Sequence, residues 1–201
     1  MKLKDEVIRD IEDQAWIDRA AEPVQKVVRR TLHQAPALAN VLHGRFLGHP
    51  LHAALIAVPV GAWTIGIALD VAGLVTGKRR FERSADLLTV VGLGGAVTAA
   101  TAGLADYSLT KGATRRVGFV HGALNMAIAG LYGLSVLARA KGARRTGVAL
   151  AAVGFTGAMG SAWLGGELAY RFGVGVSLRP EAPPPPTPDV SMEERIGAAR
   201  L

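Results

Sequence analysis

The chain has 201 residues, 50% of them hydrophobic and only 19% charged, with a mean hydropathy of +0.28 and no cysteine. So little charge argues against an ordinary soluble domain. Without cysteine these residues build no disulfide, thiolate metal site, Cys-ligated iron–sulfur cluster or covalently attached c-type haem. The net charge of +7 would suit nucleic acid, but its placement does not. The basic residues cluster as Lys78-Arg79-Arg80 with Arg83, as Arg115-Arg116, and as Arg139, Lys141, Arg144 and Arg145, each beside an apolar segment. Lys and Arg placed this way meet anionic headgroups and fix topology, so membrane lipids are the expected partner and nucleic acid is not.

Residues 1–45 read as an N-terminal arm of one or two amphipathic helices. Val7, Ile8 and Ile11 keep helical spacing, and so do Val24, Val27, Val28 and Leu32. Glu22-Pro23 reads as a fresh helix start, because proline suits a first turn. Lys26, Arg29 and Arg30 lie opposite the valines, as in an interfacial helix on headgroups; an arm packed on a partner chain fits the same residues. The charged opening MKLKDEVIRDIEDQ lacks the apolar stretch of a cleavable signal, so the first span is expected to serve as an uncleaved insertion signal.

Four uncharged cores follow: Ala53–Leu69, Leu87–Ala105, Val117–Ala138 and Thr146–Gly166. Each approaches the ~20 residues a helix needs to cross ~30 Å of hydrocarbon. The expected fold class is all-α, a four-helix transmembrane bundle over residues 46–176 with helices at about 51–76, 84–106, 117–139 and 146–170. Pro59 removes a backbone donor and predicts a bend near Ala54–Val60. Ser84 is the expected N-cap of the second span, with Asp86 in its first turn. Asp70 is expected to reach Lys78 or Arg79. Small residues recur at four-residue spacing in Gly95-xxx-Ala99-xxx-Gly103, Gly118-xxx-Gly122 and Gly157-xxx-Ser161-xxx-Gly165. That spacing lets membrane helices pack closely, and a second use is to leave room for a flat cofactor. Residues 177–201 form a tail: its PPPPTP run predicts extended or disordered chain, and Ser191-x-x-Glu194 is a capping box opening a short helix.

With four crossings both termini face one side of the membrane, side A. Side A then holds His43, His49, His52, Asp106, Tyr107, His121, Asn125, Glu167, Tyr170 and Arg171, with His33 preceding the first span. Side B holds the basic loops, with eight Lys and Arg against three in the side A loop. The excess assigns side B to the cytoplasm and the termini to the outside of a bacterial inner membrane. His52 and His121, each near the start of a span, could ligate a b-type haem from opposite faces, with His49 as substitute or hydrogen-bond partner, Asn125 beside them and Gly122 leaving room for the ring. His49, His52 and His121 with Glu167 or Asp106 could equally form a divalent metal site. In a third version the histidines and carboxylates serve a quinone or proton transfer. In the plainest version they cap helices and bond across the bundle.

Gly48-His49-Pro50-Leu51-His52 followed by Ile56-Ala57-Val58-Pro59-Val60-Gly61 resembles the opening of an uncharacterised prokaryotic membrane family, domain of unknown function 2231. There an HP-x-x-H element precedes an apolar helix with an internal proline; here the spacing is one residue tighter. Gly103-Leu104-Ala105-Asp106-Tyr107, His121-Gly122-Ala123-Leu124-Asn125 and the run Gly165–Val174 extend the resemblance over about residues 40–176. Some members of that family look like the membrane half of proteins ending in a Rieske iron–sulfur domain. The resemblance therefore implies a redox setting, and, without cysteine here, a separate partner such as an iron–sulfur protein. It implies no catalytic residue.

The leading expectation is a redox-associated membrane module or anchor that holds haem b or a quinone near side A and is no catalyst on its own. Glu167 and Asp106 would orient the imidazoles. The alternatives are a scaffold that binds a partner through its arm and tail, and a metal-binding membrane protein; a homo-oligomer is compatible with each. A transporter is disfavoured, because the chain shows no inverted repeat and no paired broken helices.

Overall fold

In the computed structural model, which describes residues 2–176, four helical stretches are long and apolar enough to cross a membrane. They are Leu51–Thr76, Arg79–Tyr107, Gly112–Ala140 and Arg144–Tyr170. The chain is thus an all-α, multi-pass membrane protein, and no strand occurs among the described residues. The expectations for the tail at 177–201 lie outside them.

The arm comprises α1 (Lys2–Asp13), α2 (Trp16–Gln34) and α3 (Pro36–Leu42), and a 3-10 turn at Arg45–Leu47 leads to the membrane. The first span is α4 (Leu51–Leu55) and α5 (Ala57–Thr76), broken at Ile56. The break falls where the sequence predicts it: Pro59 has no N–H for the Leu55 carbonyl, and the ladder resumes as Val60 N–H donates to Ile56 O at 3.2 Å. The remaining spans are α6 (Arg79–Tyr107), α7 (Gly112–Ala140) and α8 (Arg144–Tyr170).

Three spans start earlier than their uncharged cores suggest. Ser84 lies inside α6, whose N-cap is Lys78, so it caps nothing. Charged turns stay helical where they emerge into headgroups, and the chain turns where glycine takes a left-handed conformation. Gly77 at φ 65° closes α5 and Gly142 at φ 78° follows α7. Pro23 likewise does not start a helix; it sits inside α2, on the exposed side.

The spans pair as two tight hairpins, α5 with α6 and α7 with α8. Glycines set their approach. A Cβ on Gly92 would overlap the Trp63 indole, and one on Gly95 would lie 2.7 Å from Val58 Cγ1. In the second hairpin a Cβ on Gly154 would lie 3.0 Å from Tyr132 Cε2, and one on Gly157 would lie 3.2 Å from Ile128 Cγ1. Between the hairpins, Trp63 and Tyr132 stack with ring centroids 3.8 Å apart and planes 4° from parallel. That stack, with Ile128 and Ala151, forms the mid-membrane core.

Toward side B an ion cluster centred on the buried Asp70 joins all four spans. Asp70, 2% exposed, accepts from Arg139 Nη2 at 2.5 Å and from Arg144 Nη2 at 2.8 Å. Asp86 accepts from both arginines at 2.7 Å, and Glu82 lies 3.4 Å from Arg144 Nε. Asp70 therefore pairs across the bundle rather than with Lys78 or Arg79. The reason is geometric: Lys78 and Arg79 have turned out into the headgroup region, whereas Arg139 sits on a facing helix. Removing one partner of such a buried pair leaves an uncompensated charge, at a cost of ~3–5 kcal/mol.

The arm closes side A. Ile8 is buried against Val117, Leu164 and Leu168. The face of α2 turned to the bundle is Ile17, Ala21 and Gln25, one turn apart, while Val24 and Val27 are exposed. Gln25 Nε2 donates to the carbonyls of Tyr107 and Thr110, both at 2.9 Å, and Arg29 Nε donates to Ser108 O at 2.6 Å. Asp18 receives Arg115 and Arg116, both at 2.9 Å. The hydrogen bond from Arg116, with Arg115 beside it, holds the Asp18 carboxyl below the usual carboxylate range.

Candidate functional site

The break at Ile56 leaves α4 as a short helix beside the side A end of α6, and this carries His52 onto Gly103. The imidazole lies so close that a Cβ on Gly103 would fall 2.9 Å from His52 Nδ1. His52 Nδ1 donates to the Ala99 carbonyl at 2.8 Å. A carbonyl only accepts, so this bond fixes the proton on Nδ1 and leaves the Nε2 lone pair available.

His121 stands the same way in the second hairpin. A Cβ on Gly165 would fall 3.1 Å from its Cε1, and its Nδ1 lies 3.1 Å from Ser161 Oγ. Its Nε2 is 3.1 Å from Asn125 Nδ2, which also donates to the His121 carbonyl at 3.0 Å. Asn125 is thus at the predicted place, one turn below His121. The histidines dock on two of the small-residue stripes the sequence displays: Ala99 and Gly103 receive His52, and Ser161 and Gly165 receive His121.

The other predicted residues divide. Asp106 Oδ1 is bonded to His43 Nδ1 at 3.1 Å, both side chains 12% exposed. That histidine is on side A as expected, and its place at the end of α3 becomes informative because the arm folds back onto Asp106. His49 is exposed, its Nδ1 3.4 Å from the Pro50 carbonyl. His33 is exposed on α2. Gly122 is exposed on α7, and a Cβ there would meet nothing within 4 Å. The glycines against the imidazoles are Gly103 and Gly165.

The divalent set is not assembled. Among the described residues no three His, Asp or Glu side chains gather into a group that could hold a metal ion. The physical reason is that the loop turns His49 outward and His43 engages Asp106. What the geometry does bring to the side A end of a bundle closed below by the Trp63–Tyr132 stack is two imidazoles, each hydrogen-bonded through Nδ1 to the neighbouring span.

No curated protein and no solved structure matches the chain. A family model described as "Predicted membrane protein (DUF2231)" matches residues 48–178, which take in all four spans and the motifs around His49, His52, Asp106, His121 and Glu167. The chain belongs to that family of membrane proteins.

Proposed function

We propose that this protein is a redox-associated membrane module that holds haem b, ligated by His52 and His121, near side A. The observation that carries the reading is the anchoring of both imidazoles: metal-ligating histidines commonly donate the second ring N–H to a carbonyl or other acceptor, which fixes the tautomer and raises the basicity of the ligating nitrogen. His52 has that arrangement through Ala99 O, and His121 has its counterpart through Ser161. Gly103 and Gly165 supply flat backbone against the rings. Bound haem would supply one-electron transfer at this level. The chain's own residues hold and orient it, while the aromatic stack excludes water from below. A quinone is the second form of the same reading, its hydroxyl donating to His52 Nε2 in the reduced state.

Exchange with a partner, such as an iron–sulfur protein, would take place at side A, because the ion cluster and the aromatic stack close the other end. The excess of basic residues on side B assigns that side to the cytoplasm of a bacterial inner membrane. The scaffold reading keeps one observation on its side, the exposed Trp16, Val24 and Val27 of the arm, although Ile8 and Ile11 pack on the arm's own bundle.

Detergent-solubilised protein from haem-supplemented cells should show a Soret band that is lost in His52→Ala and reduced in His121→Ala. Quinone would instead appear in an organic extract of colourless protein and disappear in the same variants. A folded preparation with neither overturns the proposal.

A further inference from the structure

The two hairpins repeat one another. Corresponding residues of their first limbs are 69 apart, as Asp70 and Arg139 are, and those of their second limbs 62 apart, as Glu82 and Arg144 are. On this register His52 corresponds to His121, Leu55 to Leu124, Gly61 to Gly130, Gly92 to Gly154, Gly95 to Gly157 and Gly103 to Gly165. The contacts repeat with the residues. The large ring of the first limb lies on the same glycine of the second, Trp63 on Gly92 and Tyr132 on Gly154. The imidazole does likewise, and its Nδ1 bonds to Ala99 or to the corresponding Ser161.

Where the hairpins face each other, residues meet their own counterparts. Trp63 stacks on Tyr132, Asp70 pairs with Arg139, and Glu82 approaches Arg144. Contact between corresponding positions is the mark of a two-fold axis, as in an isologous interface. Both hairpins start on side A, so the axis runs along the membrane normal.

One residue breaks this equivalence at the imidazoles. Asn125 holds His121 Nε2, and the residue corresponding to Asn125 is Ile56, which has no polar group to offer. Among the described residues, the hydrogen bonds leave His52 Nε2 without a partner. We infer that the spanning unit is a duplicated hairpin about an axis along the membrane normal, and that Asn125 is a positioning residue that makes the paired imidazoles unequal: His52 is ready for a ligand, while His121 is tethered and released on binding. The tethering rests on the proposed ligand role of the pair; the duplication does not.

The test is nitrogen NMR of the full chain, labelled with 15N-histidine, in micelles without added haem. Asn125→Ile, which restores the first hairpin's residue, should move the His121 Nε2 resonance toward that of His52. Asn125→Asp, nearly the same size, should move it the opposite way, because a carboxylate draws a proton onto Nε2. A His121 signal unchanged in both variants overturns the tether. Haemin titration of the same samples should then show about fivefold tighter binding by Asn125→Ile, the worth of one net hydrogen bond. Equal haemin affinity in wild type and variant overturns the release on binding. If the NMR shifts appear but no sample binds haemin, the tether stands and the haem reading falls.

Discussion

A hydrogen atom in place of a methyl group decides how closely these helices approach. Gly92 lies under the Trp63 indole, so Gly92→Ala must push the ring or the helix aside; it should cost about 1–3 kcal/mol, the usual range for overpacking. Gly154→Ala, with slightly more room beside Tyr132, should cost less. Gly122→Ala and Gly130→Ala meet nothing within 4 Å and should leave stability unchanged or slightly raised. Reversible unfolding in mixed micelles checks the order, and equal effects at all four positions would contradict this packing. The stripes were legible in the sequence as small residues four apart. Which glycine matters was not, because spacing marks a helix face and says nothing of what lies opposite. Gly118 and Gly122 look alike in sequence, yet only Gly118 has a side chain against it, Tyr107, 3.0 Å from where its Cβ would be.

Among the elements, the arm departs furthest from its sequence pattern. Its valines suggest the apolar face, but α2 turns Ile17, Ala21 and Gln25 inward, because the end of a bundle offers free carbonyls as well as apolar side chains. Gln25 and Arg29 satisfy those carbonyls where α6 ends. Asp18 adds a pH-dependent latch. Its carboxyl is lowered from the ordinary value of 3.8 when docked, so its contribution is fully present above that pH and fades as the pH falls through the lowered value. Amide exchange in α1 and α2, corrected for the intrinsic rate that itself falls with pH in this range, should therefore quicken below pH ~4. In Asp18→Asn it should already be faster at neutral pH and lack the acid step. An acid step that persists in this variant would place the latch elsewhere.

For the whole molecule, corresponding residues of the two hairpins recur at three levels from side A to side B: imidazoles, aromatic rings and ions. Successive levels are separated by 11 and 7 residues along α4–α5, roughly 16 and 10 Å of helix. The absence of cysteine makes the chain its own background for topology. His49→Cys and Lys111→Cys should react with an impermeant maleimide from one face of the membrane, Lys78→Cys and Lys141→Cys from the other. Labelling of all four from one face would refute four crossings. The sequence by itself determined the four spans, their shared polar end and the proline break, because hydrocarbon allows few uncharged ~20-residue segments other than helices. It also carried the repeat, as histidines and glycines at constant separations, but hidden by divergence at most other positions. Only the tertiary structure decided that Asp70 pairs with Arg139 and Arg144, that the arm folds back over side A, and that Nε2 of His121 has a partner where Nε2 of His52 has none among the described residues. Those outcomes depend on which faces meet across helices far apart in the chain, and a periodic pattern along one helix does not encode its neighbour.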